Sequence, residues 1–162
     1  MLKIAQEAVA ALKERRWTVG TCESLTGGMI CSTLVDVPGA SKVVRGGFVT
    51  YQTDAKTLLA GVDAALIADK GVVSAEVARA MAEGAKIRLG VDVAVSATGM
   101  ASPGDPGDPP AGTVFVGVAS AKGVRAIPLQ LVGTRREIRE QTVKAALEAI
   151  IEEIDTKENE AP

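Results

Sequence analysis

The spacing of apolar residues predicts that helices and strands alternate along the chain. Ile4, Ala8 and Leu12 recur four residues apart, as on one face of an amphipathic helix over residues 2–15. Residues 92–97 are almost all apolar, which is typical of a strand covered on both faces. The remaining predicted elements are strands at 18–22, 43–51, 113–119 and 124–131, and helices at 29–35, 54–59, 74–89 and 134–154.

Capping residues and turn formers mark where several of these elements begin and end. Ser74 is a favourable N-cap, and Thr134 followed by Glu137 fits a capping box. Residues 99–112 are rich in Gly, Pro and Asp and are therefore predicted as a loop. A loop of that length in a compact domain is usually functional or mobile.

The alternation of strands and helices predicts an α/β fold, a three-layer α/β/α sandwich with a mainly parallel sheet. The last two strands are close enough in sequence to pair as a hairpin, so a mixed sheet is the alternative. We expect one domain over residues 1–155 and a polar, disordered tail at 156–162. Ligands bind such sheets outside the carboxyl ends of the strands, so polar residues at those ends are the first candidates for chemistry.

Composition excludes several classes of protein. The chain of 162 residues carries 18 basic and 20 acidic residues and 2% aromatic residues, which argues against a nucleic-acid surface. No apolar run is long enough to span a membrane, and we expect a cytoplasmic protein. The two cysteines, Cys22 and Cys31, have no zinc-site spacing and are interpreted as reduced thiols.

The chain contains no histidine, which excludes Ser-His-Asp catalysis and histidine-ligated metals. Any hydrolytic base must then be Lys, Tyr, Asp, Glu or water. Ser41 before the 43–51 strand, Tyr51 at its end and Lys56 just after it form a candidate nucleophile-and-base set. The alternative is an ordinary turn serine, strand-end tyrosine and surface lysine.

Three further segments have residue types suited to anions. Ser24, Thr26, Gly27 and Gly28 open a helix after the first strand, where glycines let backbone N–H groups approach a phosphate. The alternative there is a plain strand-to-helix turn. The two further candidates are Thr98-Gly99, as an oxyanion hole or a tight turn, and the pair Arg135 and Arg139, as an anion clamp or as solvated arginines.

These segments together resemble the nicotinamide-nucleotide amidohydrolase family, also known as the C-terminal domain of CinA, over residues 4–151. Each motif is short, but their order and spacing are specific. The motifs that carry the resemblance are Thr21–Gly28, Pro38–Ser41, Gly46–Tyr51 with Ala55-Lys56, Gly71–Ser74, Ala97–Gly99, Gly112–Val114, and Gly133–Arg135 with Ile138-Arg139.

The resemblance implies hydrolysis of nicotinamide mononucleotide to nicotinate mononucleotide and ammonia, without a metal or cofactor. By carry-over, Ser41 would be the nucleophile with Tyr51 and Lys56 as activating partners, and the family suggests a homodimer. The substrate would be bound by Ser24, Thr26, Gly27, Gly28, Thr98 and either Arg139 or Arg135.

The chain departs from the family pattern at three positions. Ser102 stands where that pattern has glycine, Asp105 adds a negative charge, and Thr134 replaces an aspartate. The changed loop at Ser102 and Asp105 motivates an alternative function, a non-catalytic nucleotide-binding module or sensor that keeps the pocket. An NAD-linked dehydrogenase using Tyr51 and Lys56 is disfavoured, because the two are five residues apart across a strand end and no glycine fingerprint is present.

Overall fold

The computed structural model describes residues 1–156, and within them one sheet is covered by helices on both faces. The strands are β1 (Val19–Glu23), β2 (Val44–Val49), β3 (Val93–Gly99), β4 (Thr113–Ser120) and β5 (Gly123–Gln130). The helices are α1 (Leu2–Arg15), α2 (Met29–Val35), α3 (Thr53–Ala60), α4 (Ala64–Lys70), α5 (Ala75–Leu89) and α6 (Arg135–Asp155), with a 3₁₀ turn at Ala40–Lys42.

The sheet is mixed, with strand order β2-β1-β3-β4-β5. Strand β1 pairs in parallel with both β2 and β3, whereas β4 pairs antiparallel with β3 and β5. The carboxyl ends of β1, β2 and β3 therefore meet at one edge. This arrangement confirms the predicted α/β fold and selects the mixed sheet.

Two apolar layers hold the sheet between the helices. One layer joins α1, α2 and α6 to the sheet through side chains such as Leu12, Ile30 and Leu147, all 0% exposed. The other joins α5, with α3 and α4 outside it, through Met81 and Val62. Strand β3 is buried on both faces, as its apolar run predicts.

The predicted caps are present. Ser74 Oγ accepts the N–H of Val77 at 3.2 Å, and Thr134 and Glu137 form the reciprocal capping box of α6. Helix α4 was not predicted, although Asp63 caps it by accepting the N–H of residue 65. Of the predicted disordered tail, residues 157–162 lie outside the described residues.

Candidate functional site

An open pocket of about 690 Å³ lies where β1, β2 and β3 end. Its walls come from the turn after β1, the start of α3, the end of α4 with the segment that follows it, the β3–β4 loop and the first residue of α6. This is the edge at which a sheet of this kind is expected to bind ligands. The residues that line it and matter below are Ser24, Leu25, Tyr51, Lys70, Gly99, Ser102, Asp108 and Arg135.

A buried lysine and a serine lie in contact at this pocket. Lys56 is 0% exposed, and its Nζ donates to the Thr50 carbonyl at 2.7 Å and contacts Ser24 Oγ at 3.1 Å. Ser24 lines the pocket, whereas Lys56 lies behind it in α3. The serine hydroxyl therefore stands between the pocket and the amine.

Burial lowers the pKa of the Lys56 ammonium, because the charged form loses its hydration, and this effect outweighs the opposite effect of the neighbouring Cys22. Within residues 1–156 no carboxylate lies within 4.0 Å of Lys56 Nζ to restore the charge. A neutral amine can donate to the Thr50 carbonyl and accept the hydroxyl proton of Ser24. The pair is thus suited to general-base activation of the serine.

The predicted convergence of Ser41 with Tyr51 and Lys56 is wrong. Ser41 lies in the exposed 3₁₀ turn before β2, whereas Tyr51 and Lys56 follow that strand. A strand rises about 3.3 Å per residue, so the six residues of β2 separate the two ends by roughly 20 Å. The serine that the fold brings to Lys56 is Ser24.

The turn after β1 is built around a buried glutamate. Glu23 is 0% exposed, and its carboxylate accepts the N–H groups of Ile30 at 2.8 Å and Cys31 at 3.0 Å, as well as the Thr21 hydroxyl at 3.2 Å. An internal carboxylate therefore occupies these two N–H groups at the start of α2. The N–H of Gly27 donates to the Ser24 carbonyl, and the substrate-binding roles of Gly27 and Gly28 stay predictions.

The remaining N–H groups of this turn belong to Ser24 and the residues that follow it. The N–H of Ser24 donates to the Ala97 carbonyl, and the N–H of Gly27 donates to the Ser24 carbonyl. No backbone acceptor is found within residues 1–156 for the N–H groups of Leu25 and Thr26. Thr26 Oγ1 is also the buried side-chain oxygen without a partner in that part of the chain. The backbone beside Ser24 therefore has donors to offer a ligand.

The two predicted arginines have different surroundings. Arg139 reaches across from α6 and donates from Nε to the Leu25 carbonyl at 2.8 Å and from Nη2 to the Thr26 carbonyl at 3.3 Å, so it holds the turn in place. Arg135 lines the pocket, where Nη2 donates to Tyr51 Oη at 3.0 Å and Nη1 to Ser102 Oγ at 3.1 Å. Arg135 is therefore the better placed of the two to meet a ligand.

The surroundings of Thr98 and Tyr51 also differ from those expected. Thr98 is 1% exposed and its hydroxyl donates to the Val72 carbonyl at 2.8 Å, while the neighbouring Gly99 lines the pocket. Tyr51 is 57% exposed, and its hydroxyl meets Arg135 rather than Lys56. A direct proton relay between Tyr51 and Lys56 is not formed in this arrangement.

Comparison with known proteins identifies the fold and the family together. The model of the CinA C-terminal domain matches residues 1–154. The chain belongs to the CinA C-terminal domain family. A CinA-like protein of Mycolicibacterium gilvum is 47% identical over 147 residues, which are 89% of this chain and 34% of that protein.

Solved structures agree with this family assignment. A competence/damage-inducible protein of Agrobacterium tumefaciens superposes with a TM-score of 0.90 at 35% identity, covering 96% of this chain and 95% of that one. The competence damage-inducible protein A of Klebsiella pneumoniae superposes with a TM-score of 0.93 at 26% identity, covering 97% and 98%. This CinA C-terminal domain spans about a third of the length of the curated relatives that it matches.

Several residues of this CinA C-terminal domain make contacts at the site that the sequence did not suggest. Ser24 was expected only to bind substrate, and no role was predicted for Glu23 or Thr50. Their signal was available in part, since Ser24 and Glu23 lie at the carboxyl end of a buried strand, where the chemistry was expected. Asp105, expected near a bound phosphate, does not line the pocket; Asp108 does, and its Oδ2 accepts the Asp105 N–H at 2.8 Å.

No helix of the described residues is both long and apolar enough to cross a membrane.

Proposed function

We propose that this domain hydrolyses the carboxamide of nicotinamide mononucleotide to nicotinate mononucleotide and ammonia. The observation that carries the proposal is the contact of 3.1 Å between Ser24 Oγ and the buried Lys56 Nζ beside an open pocket. Membership of the CinA C-terminal domain family supports the reaction through the resemblance stated above. Ser24 replaces Ser41 as the proposed nucleophile.

The first half of the proposed reaction forms an acyl-enzyme. Neutral Lys56 takes the proton of the Ser24 hydroxyl, and Ser24 Oγ attacks the carboxamide carbon. The N–H groups of Leu25 and Thr26 are the proposed donors to the resulting oxyanion. Lys56 then gives its proton to the amide nitrogen, the C–N bond breaks, and ammonia leaves while the nicotinoyl carbon stays bonded to Ser24.

The second half regenerates the serine. Lys56 accepts a proton from a water molecule, the hydroxide attacks the ester carbon, and the bond to Ser24 Oγ breaks. Lys56 returns the proton to Ser24, so the serine and the amine end in their starting states. The product acid is a carboxylate at neutral pH, which makes release of ammonia effectively irreversible.

The pocket charges are consistent with an anionic substrate of this kind. Arg135 and Lys70 line the pocket together with one carboxylate, that of Asp108. The Asp108 carboxylate is already hydrogen-bonded to the loop backbone. A phosphate at the mouth and a carboxamide at Ser24 would place each group of the substrate beside residues of matching chemistry.

A pair of serine substitutions tests the proposal. Ser24→Ala should reduce ammonia release from nicotinamide mononucleotide by about 10³-fold or more, because the nucleophile is lost. Ser41→Ala is the matched control and should retain near wild-type turnover. Circular dichroism and urea unfolding would confirm that both variants fold. Loss of activity in Ser41→Ala with retention in Ser24→Ala would overturn the assignment of the nucleophile.

The alternative, a binding module without turnover, predicts a different outcome. The purified domain would then bind nicotinamide mononucleotide in calorimetry and release no ammonia from it. The contact between Ser24 and the buried amine of Lys56 favours an enzyme over a binding module. Burying a lysine without a carboxylate partner lowers stability, and a general base for Ser24 gives this destabilising residue a function that ligand binding alone does not require.

A further inference from the structure

Arg135 joins three segments of the chain at the mouth of the pocket. It is the first residue of α6 and donates to Tyr51 Oη, just before α3, at 3.0 Å. Its second terminal nitrogen donates to Ser102 Oγ, in the β3–β4 loop, at 3.1 Å. The guanidinium is thereby held at the wall of the pocket that Ser24 also lines.

The position of this arginine is electrostatically unfavourable without a ligand. A cation in the first turn of a helix opposes the helix dipole. Within residues 1–156 no carboxylate lies within 4.0 Å of the Arg135 guanidinium, and both of its partners are neutral hydroxyls. A guanidinium has five N–H donors, so two bonds leave three for an incoming anion.

We infer that Ser102 and Tyr51 are positioning residues that hold Arg135 ready for the phosphate group of the substrate. The inference rests on the proposed function for the identity of that substrate. Ser102 occupies a position where the family pattern has glycine, which has no hydroxyl to offer. Ser102 therefore adds a contact to Arg135 in this chain instead of obstructing the pocket.

The expected benefit is preorganisation of a flexible side chain. A long arginine side chain that is free in solution must be ordered when the ligand binds, and this ordering weakens affinity. Two hydroxyl partners order Arg135 beforehand without neutralising its charge. Tyr51 on this view affects substrate affinity, whereas a proton relay through Tyr51 would affect turnover.

Two substrates that differ by one phosphate test the inference. Nicotinamide mononucleotide and nicotinamide riboside have the same carboxamide, but only the former carries the phosphate. Ser102→Ala should raise KM for the mononucleotide two- to tenfold with kcat unchanged, and should leave KM for the riboside unchanged. Ser102→Thr keeps the hydroxyl and should restore the wild-type KM.

Two further variants complete the design. Tyr51→Phe should also raise KM for the mononucleotide with little change in kcat. Ser32→Ala, at an exposed serine on α2, is the matched control and should change neither substrate. Equal changes of KM for both substrates, or no change for either, would overturn the inference, as would a Tyr51→Phe variant whose loss is entirely in kcat.

Calorimetry separates this inference from the proposed function. If the wild-type domain released no ammonia from either substrate, the proposed function would fail, but binding of the mononucleotide could still be measured. Ser102→Ala should then raise the Kd for nicotinamide mononucleotide two- to tenfold relative to the wild type. Identical values of Kd for Ser102→Ala and the wild type would refute the role of Ser102 whatever the activity.

Discussion

Replacing Lys56 by methionine should separate the stability of this domain from its proposed activity. Lys56 is fully buried, and its lowered folded-state pKa lies below the unfolded value of 10.5. Between those two pKa values the unfolded chain binds more protons, so wild-type stability rises with pH. The slope is about 1.4 kcal/mol per pH unit for one proton. Below the folded pKa the full penalty for burying the amine remains.

Lys56→Met removes this titration while keeping a side chain of similar length. The free energy of unfolding of the wild type minus that of the variant should therefore rise with pH inside that window. Urea unfolding from pH 7 to 10.5 measures the difference, and Lys3→Met, at an exposed lysine of α1, is the control. Ammonia release should fall by about 10²- to 10⁴-fold, the usual contribution of a general base. A difference that stays constant across this pH range would refute the reasoning.

The Cys22 thiol, which neighbours Lys56, makes stability depend on pH in the opposite direction. Burial raises its pKa from 9.0 to about 11, although the Thr50 hydroxyl and the Lys56 charge act against the shift. The folded state therefore binds more protons between these values, and stability is lost as pH rises from 9 towards 11. This contribution is present in both proteins and largely cancels in the comparison of Lys56→Met with the wild type.

Two further substitutions test packing around the site. Gly84→Ala would normally favour a helix interior by about 1 kcal/mol, but its added Cβ would lie 1.8 Å from the Ala60 carbonyl oxygen. We expect a loss of about 1–3 kcal/mol in the free energy of unfolding by urea titration, and a gain would contradict the close packing of α5 on α3. Arg139→Lys removes the planar guanidinium that donates to the Leu25 and Thr26 carbonyls, so kcat for ammonia release should fall several-fold. An unchanged kcat would show that the turn keeps its shape without the guanidinium.

Most of the fold could be predicted from the sequence because local signals agree with the tertiary contacts. Apolar spacing and caps defined α1, α5 and α6, and the close spacing of the last two strands favoured the β4–β5 hairpin. Helix α4 has the same length as the predicted α2, but it buries one residue, Ile67, whereas α2 buries Ile30 and Leu34 at helical spacing, so α4 gives no periodic pattern. Its one clear signal was the N-cap residue Asp63.

The candidate site was only partly predictable. Lys56 could be predicted because it follows a strand end and because a chain without histidine leaves lysine as a candidate base. The position of Ser41 could not, because a residue near Tyr51 in sequence need not lie near it in space. A residue before a strand and one after it lie at opposite edges of the sheet. The pairing of Ser24 with Lys56, 32 residues away, depends on the β1–β2 pairing, which no local pattern shows.

The spacing of the proposed nucleophile and base is set by the sheet itself. Ser24 directly follows Glu23, whose carbonyl accepts the Thr50 N–H at 2.8 Å and so continues the β1–β2 ladder beyond its last paired residue. The Thr50 carbonyl in turn accepts from Lys56 at 2.7 Å. Ser24 is therefore next in sequence to one residue of this hydrogen-bonded pair, Glu23, and Lys56 is hydrogen-bonded to the other, Thr50. The buried side chains of parallel strands fix their register, so the pairing of Glu23 with Thr50 cannot shift along the strands without exposing the core. The contact between Ser24 and Lys56 is thus held by the register of the buried strands, and not by the β3–β4 loop that carries Ser102.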